Sequence, residues 1–423
     1  MLPVLLLAFL SLQLIGQKTI VHCGGLIDGV SNERMEKVSV VISGKTIAAI
    51  SKGFIQPEDG DQLIDLSDHT VMPGLMDMHV HIESEYSKGS YINRYNMDPA
   101  DVAFRAAHYA KTTLMAGFTT VRDLGGSGVN VSLREAIKRG LATGPRIYTS
   151  CKAIAITGGH GDPTNGAKTG IFDFPGPEKG VADGPDECRK AVRQQVKNGA
   201  DLIKITATGG VLSVARDGFR PQFSEEEIEA IISTAKDFGI SVAAHAHGDE
   251  GMRRAVAAGI TSIEHGTLMT EETIALMKKM GTWYVPTISA GKAVADSALV
   301  RGYFPPLVTP KALSIGPQIQ STFGRAYRAG VKIAFGTDAG VFPHGKNAKE
   351  FVYMTEEGMS AMEAIQSATM NGAQLLGVAE NLGSIEKGKL ADLVAVRGNP
   401  LDDISILMDM AFVMKEGTVY KNE

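Results

Sequence analysis

From Gly74 to about residue 382 the chain alternates short apolar runs with amphipathic stretches, and the alternation repeats eight times. The apolar runs end at His81, Asp123, Cys151, Thr206, His245, His265, Thr287 and Asp338. Between them lie segments with helical signatures. The stretch from Ser224 to Phe238 opens on Ser224 followed by Glu227, the spacing of a capping box. Strands interleaved with helices over roughly 300 residues predict an α/β chain built as a (β/α)8 TIM-like barrel. A doubly wound open sheet is the alternative.

The flanks have a different texture. From Lys18 to about Met72, runs such as Val38–Ile42 and Ile47–Ile50 read as strands, split by the turn signals Asp28-Gly29 and Ser43-Gly44. The same pattern returns after Gly383, in Ala391–Val396, Phe412–Lys415 and Thr418–Tyr420. Neither flank alone holds enough strands for a stable sheet. The expectation is therefore one small β-sandwich domain made from residues 18–73 and 383–423, with the barrel occupying 74–382.

Residues 1–17 carry an apolar run from Val4 to Ile15, too short to span a bilayer and suited to the core of a signal peptide. No Lys or Arg precedes it, and Leu14-Ile15-Gly16 fits the small-residue cleavage rule only in part. The expectation is export, secreted or periplasmic, without stable membrane insertion. A buried strand or an uncleaved anchor is the alternative, and a chain without a working signal would be cytoplasmic. No cysteine follows the run, which argues against a lipoprotein. Cys23, Cys151 and Cys188 are too few and too scattered for a disulfide framework. With a formal charge of -5 there is no electrostatic reason to expect nucleic acid or an anionic membrane as partner. A small-molecule substrate fits better, and a homo-oligomer is compatible with the composition.

Active sites of barrels form at the carboxyl ends of the strands. Polar residues ending apolar runs there are His79 and His81 on the first strand, Lys204 on the fourth, His245 on the fifth, His265 on the sixth and Asp338 on the eighth. Period-two alternation puts His79 and His81 on one face. A lone histidine at a strand end is usually structural. Four imidazoles and a carboxylate on one rim suit zinc or a neighbouring divalent ion. Lys204 is the odd member, because an ammonium beside cations is repelled and costly to bury. It could lose its proton and add carbon dioxide, giving a carbamate able to bridge two metals. It could also snorkel to solvent, or form a Schiff base as in aldolase-like barrels. His247 competes with His245 for the role on the fifth strand.

These residues resemble the amidohydrolase superfamily. The resemblance rests on Met72–His81, Ile203-Lys204-Ile205-Thr206, Ala244-His245-Ala246-His247, Ile263-Glu264-His265-Gly266, Gly336-Thr337-Asp338-Ala339-Gly340 and the return segment Gly383 to Val394. It covers nearly the whole chain after residue 18. Within the superfamily the chain looks most like the prolidase and imidazolonepropionase-like branch, which includes Xaa-Pro dipeptidases. The resemblance implies two zinc ions bridged by N6-carboxylated Lys204. It assigns His79, His81 and Asp338 to one metal and His245 and His265 to the other. It also implies cleavage of the amide bond of dipeptides or N-acyl amino acids by a metal-bridging hydroxide, with Asp338 as proton shuttle.

Substrate contacts are expected from loops. His160, in the Gly-rich run after the third strand, is a candidate oxyanion donor. Arg216 and Arg220 are candidates for gripping a substrate carboxylate, and solvated surface arginines are the bland alternative. Tyr284 is a further candidate contact, with a core aromatic as its alternative. Arg122, next to Asp123, reads as half of an internal ion pair. Two rival functions stay open: a one-metal cyclic amide hydrolase of the imidazolonepropionase type, and a non-catalytic metal-binding relative.

Overall fold

A computed structural model of the chain describes residues 17–216 and 218–423. The apolar run read as an export signal lies in residues 1–16, outside the described residues. Among the described residues, no helix is long and apolar enough to cross a membrane.

Both chain ends build one seven-stranded mixed sheet. Its strands are β1 (Lys18–Leu26), β2 (Met35–Ser43), β3 (Thr46–Lys52) and β4 (Gln62–Pro73) from the amino-terminal flank. Its other three, β12 (Leu393–Arg397), β13 (Phe412–Lys415) and β14 (Thr418–Asn422), come from the carboxyl-terminal flank. The order is β14-β13-β12-β4-β1-β2-β3. The junction of the two ends is antiparallel, with Val394 opposite Met72. The two flanks thus meet in one sheet that folds over on itself. Ile47 N donates to Lys389 O at 2.9 Å, and Thr46 bridges Leu390. The fold-over encloses Val21, Val40, Ile42, Ile64, Leu393 and Phe412 as a core of its own.

Between the flanks stand β5 (Leu75–Val80), β6 (Phe118–Asp123) and β7 (Arg146–Thr149) as one parallel sheet. A second parallel sheet holds β8 (Ile203–Thr206), β9 (Val242–Ala246), β10 (Ser262–His265) and β11 (Trp283–Val285). The two sheets meet at two seams. At one, Ile154 N donates to Lys204 O (2.8 Å) and Thr206 N to Ile154 O (3.0 Å). At the other, residues 331–339 bond to both neighbours: Ala334 N to Tyr284 O (3.0 Å) and Met78 N to Phe335 O (2.9 Å). The segment expected as an eighth strand thus makes isolated bridges rather than a continuous ladder, because few of its backbone groups are in register on either side. The arrangement is of the TIM-barrel type. Helices cover the outside, burying one face each; in Glu225–Asp237 that face is Ile228, Ile231, Thr234 and Ala235, and Ser224 caps it through Glu227 N.

Candidate active site

Five of the apolar runs deliver polar residues at their ends to one rim. His79 is on β5, His81 just past it, Lys204 on β8, His245 on β9, His265 on β10, and Asp338 in the 331–339 segment. All six line a cavity of about 600 Å³, with His160 and His247. Four non-glycine residues at the ends of barrel strands have left-handed backbone: Cys151 (φ 61°), His265 (φ 70°), Thr287 (φ 55°) and Asp338 (φ 60°). Such conformations cost about 1–3 kcal/mol each and persist where the surroundings demand a particular side-chain direction.

The imidazoles form a continuous row. Ring centroids are 5.5 Å apart for His79–His81, 4.9 Å for His79–His265, 4.7 Å for His245–His265 and 4.3 Å for His160–His245. Each ring in the assigned set has one nitrogen tied to the protein. His79 Nδ1 donates to Glu264 Oε2 (2.9 Å) and His81 Nδ1 to Gly125 O (2.8 Å). His265 Nδ1 meets Thr287 Oγ1 (2.7 Å), whose own proton goes to Pro286 O. His245 Nε2 meets Gly209 O (3.2 Å). These bonds fix ring orientation and leave the other nitrogen as a lone pair on the cavity side, the way metal-ligating histidines are held. Burial pushes His81 down to about 4 and His160 and His247 to about 3, and pushes His79, His245 and His265 down strongly. The rings are neutral, the form that can ligate.

The donor set fits a cation. His79 Nε2 and Asp338 Oδ1 are buried without a hydrogen-bond partner and lie 3.5 Å apart, with His81 Nε2 3.3 Å from the same oxygen. One ligand atom from each of these residues falls within 4.8 Å of the others. Lys204 is nearly inaccessible, and burial lowers its pKa while raising that of Asp338. A lysine pushed toward the neutral amine is in the state that adds carbon dioxide. His245 and His247, two apart, both face the cavity, their rings 4.7 Å apart; His247 Nδ1 is bonded to Thr267 Oγ1 at 2.9 Å.

Other expected contacts lie elsewhere. Arg216 and Arg220 are exposed and do not line the cavity; the lining cations besides Lys204 are Lys152 and Lys179. Tyr284 is fully buried and spends its hydroxyl on His265 O at 2.8 Å, which makes it a brace. Arg122 pairs with Glu264 at 2.7 Å, not with its neighbour Asp123. Adjacent strand residues point to opposite faces, so the Arg122–Asp123 pairing was geometrically closed. Asp123 instead accepts from Asn130 and Thr149. Glu264 was not singled out by the sequence reading, although its place one residue before His265 put it beside the site. Glu350, which accepts from Ile288 N and Ser289 N at 2.7 Å each, was invisible because its partners are backbone groups 61 and 62 residues away.

Comparisons with known proteins find close relatives over nearly the whole chain. The crystal structure of a Xaa-Pro dipeptidase with methionine bound in its active site is 55% identical, with a TM-score of 0.94 over 96% of this chain and 100% of that one. A prolidase complexed with N-methylphosphonate-L-proline is 33% identical, with a TM-score of 0.88 over 96% and 100%. Ochratoxinase from Aspergillus niger is 34% identical over 95% of this chain and 86% of its own length. The model of the amidohydrolase family matches residues 70–421. The chain belongs to the amidohydrolase family.

Proposed function

We propose that the chain is a metal-dependent hydrolase of dipeptides or N-acyl amino acids that carry a free carboxylate. The observation that carries the reading is the row of four oriented, neutral imidazoles with Asp338 and Lys204 on one cavity wall. His79, His81 and Asp338 would hold one divalent ion, His245 and His265 a second, with carboxylated Lys204 between them. Zinc or a similar ion bound there supplies Lewis acidity toward the amide carbonyl and acidifies water.

The remaining work falls to side chains of this chain. Asp338, with an unpartnered oxygen facing His79 and His81, receives the proton of the attacking water and returns it to the departing amine. His160, neutral and stacked on His245, donates a hydrogen bond to the carbonyl oxygen as negative charge develops there. Lys152 offers the substrate carboxylate a cation on the side of His81, since Gly125 O holds His81 and the next residue, Gly126, donates its N–H to Cys151 O at 2.9 Å. Relatives described as a Xaa-Pro dipeptidase and a prolidase support peptide substrates.

The test is a screen of dipeptides and N-acetyl amino acids on metal-replete protein, with metal content measured per chain. Hydrolysis with near two ions per chain is expected. Absence of cleavage throughout the panel overturns the substrate reading, and near one ion per chain overturns the binuclear one.

A further inference from the structure

The cavity has two unlike halves. Beside His81 it is bounded by Leu124, Gly125, Gly126, Ser127, Lys152 and Ala153, an edge that carries a cation and a hydroxyl. Beside His245 and His265 it is bounded by Val211, Leu212, Val294, Ile315 and Ile319. The placement follows from the chain. Gly209, which holds His245, leads into Val211; Thr287, which holds His265, leads into the helix Ile288–Ala298 that carries Val294. Ile315 and Ile319 lie on the next helix, Thr309–Ala329.

Most of this apolar wall packs apart from the barrel core, with Leu212 against it and Ile319 joining it to that core. Val211, Val294 and Ile315 pack with Phe304, Val308 and Ala312 in one cluster. Its shape is fixed from three directions. The two helices approach so closely that a Cβ on Gly291 would lie 2.6 Å from Ile319 Cγ2, and one on Gly316 2.6 Å from Gly291 O. Glu350 caps the start of the first helix through Ile288 N and Ser289 N. Lys311 Nζ donates to Gly210 O (2.8 Å), Ser213 O (2.8 Å) and Ala215 O (3.0 Å), pinning the loop that carries Val211 and Leu212. A rigid aliphatic wall against a cavity favours a hydrocarbon that fills it and rejects a charge that would be stripped of water there.

We infer that the surface made by Val211, Leu212, Val294, Ile315 and Ile319 is a side-chain subsite that selects an apolar residue, of the size of leucine or methionine, on one side of the scissile amide. The inference rests on the proposed hydrolysis of dipeptides or N-acyl amino acids and names the class among them: substrates with a bulky apolar side chain. A pocket of this kind discriminates by about tenfold or more per added methylene.

The experiment measures kcat/KM on metal-replete protein for two series, Xaa-Ala and Ala-Xaa, with Xaa as Gly, Ala, Leu, Met, Phe, Asp and Lys. Leu and Met should exceed Ala by at least tenfold in one series, and Asp and Lys should fall at least tenfold below Ala in that series. Val294→Phe, which fills the subsite, should erase the advantage of Leu over Ala while Ala-Ala is still cleaved. Val294→Ala serves if the larger residue does not fold, and should move the optimum toward Phe. Flat profiles in both series, or equal losses on Leu and Ala substrates in the variants, overturn the subsite. Isothermal titration with L-leucine and L-aspartate separates the two ideas. If no amide is cleaved, the hydrolase reading fails alone when L-leucine still binds at least tenfold more tightly and Val294→Phe removes the difference. Without that preference the subsite fails as well.

Discussion

Replacing Glu264 by Gln probes how the candidate ligand set is held. Glu264 and Arg122 are fully enclosed, and their ion pair at 2.7 Å lies inside the barrel. Glu264 also accepts from Ser262 Oγ at 2.6 Å and from His79 Nδ1 at 2.9 Å, while Arg122 Nε holds Met78 O at 2.6 Å. A single carboxylate therefore ties β10 to β5 and β6. An amide of the same shape cannot neutralise the guanidinium. Its NH2 group must face Arg122, Ser262 or the Nδ1–H of His79, so at least one donor is left without an acceptor. Stripping one partner from a buried pair costs about 3–5 kcal/mol, and loosening a ligand's outer partner weakens metal binding by about 10–100-fold. Chemical denaturation with and without chelator reads the first effect, and competitive zinc titration reads the second. Arg122→Met added to Glu264→Gln should recover most of the lost stability, because it removes the stranded charge, and should leave the zinc defect in place. A single variant within about 1 kcal/mol of the parent, with unchanged zinc affinity, would refute the reasoning.

Further outcomes follow from the same geometry. Asp338→Asn should retain zinc and lose about 10²–10⁴-fold in kcat; near-normal turnover rules out its role as proton shuttle. Dialysis against a chelator should abolish hydrolysis, and zinc should restore it as occupancy approaches two per chain; activity that survives complete metal removal excludes the metal mechanism. Lys152→Met should raise KM for substrates with a free carboxylate by about tenfold and spare their carboxamides; equal effects on both show that Lys152 does not meet the carboxylate. Burial raises the Glu350 carboxyl from 4.5 to about 7. The folded state thus holds this proton more tightly than the unfolded chain, and stability from this group is lost as pH rises through that window. The advantage of the parent over Glu350→Gln in melting temperature should shrink between about pH 5 and about pH 8; a growing advantage reverses the assigned sign.

The barrel was legible because each strand run ends on a residue unlike the rest of it. His79, Lys204, His245, His265 and Asp338 interrupt apolar sequence at the position where a strand delivers side chains to the rim. What the sequence hid depends on long-range backbone contacts. Arg216 and Arg220 follow Lys204 closely in the chain but are exposed, while Lys152 lines the cavity from the turn after β7 and Lys179 from a single turn of 3-10 helix, neither with a periodicity to read. The fold-over of the flanking sheet rests on Ile47 meeting Lys389, a contact across more than three hundred residues that no local pattern encodes.

The left-handed residues link fold to site. At His265, Thr287 and Asp338 the chain turns from strand to loop in a conformation that β-branched and bulky side chains resist. Glycine would relieve that strain, yet each position needs its own side chain: His265 and Asp338 face the cavity, and Thr287 orients His265. The strain is held by hydrogen bonds from neighbouring residues. Tyr284 grips His265 O, Glu350 anchors the helix that begins beyond Thr287, and Asp338 N is bonded to His79 O at 2.7 Å. Asp77 secures the same corner by accepting from His79 N and Thr337 N and from the side chains of Thr337 and Asn347. These buried polar groups lie outside the cavity but converge on the same few residues. A rim built only for stability would have used glycine at such turns and aliphatic residues behind them; this one keeps strained, hydrogen-bonded side chains at two candidate ligands, His265 and Asp338, and at Thr287, which orients the first.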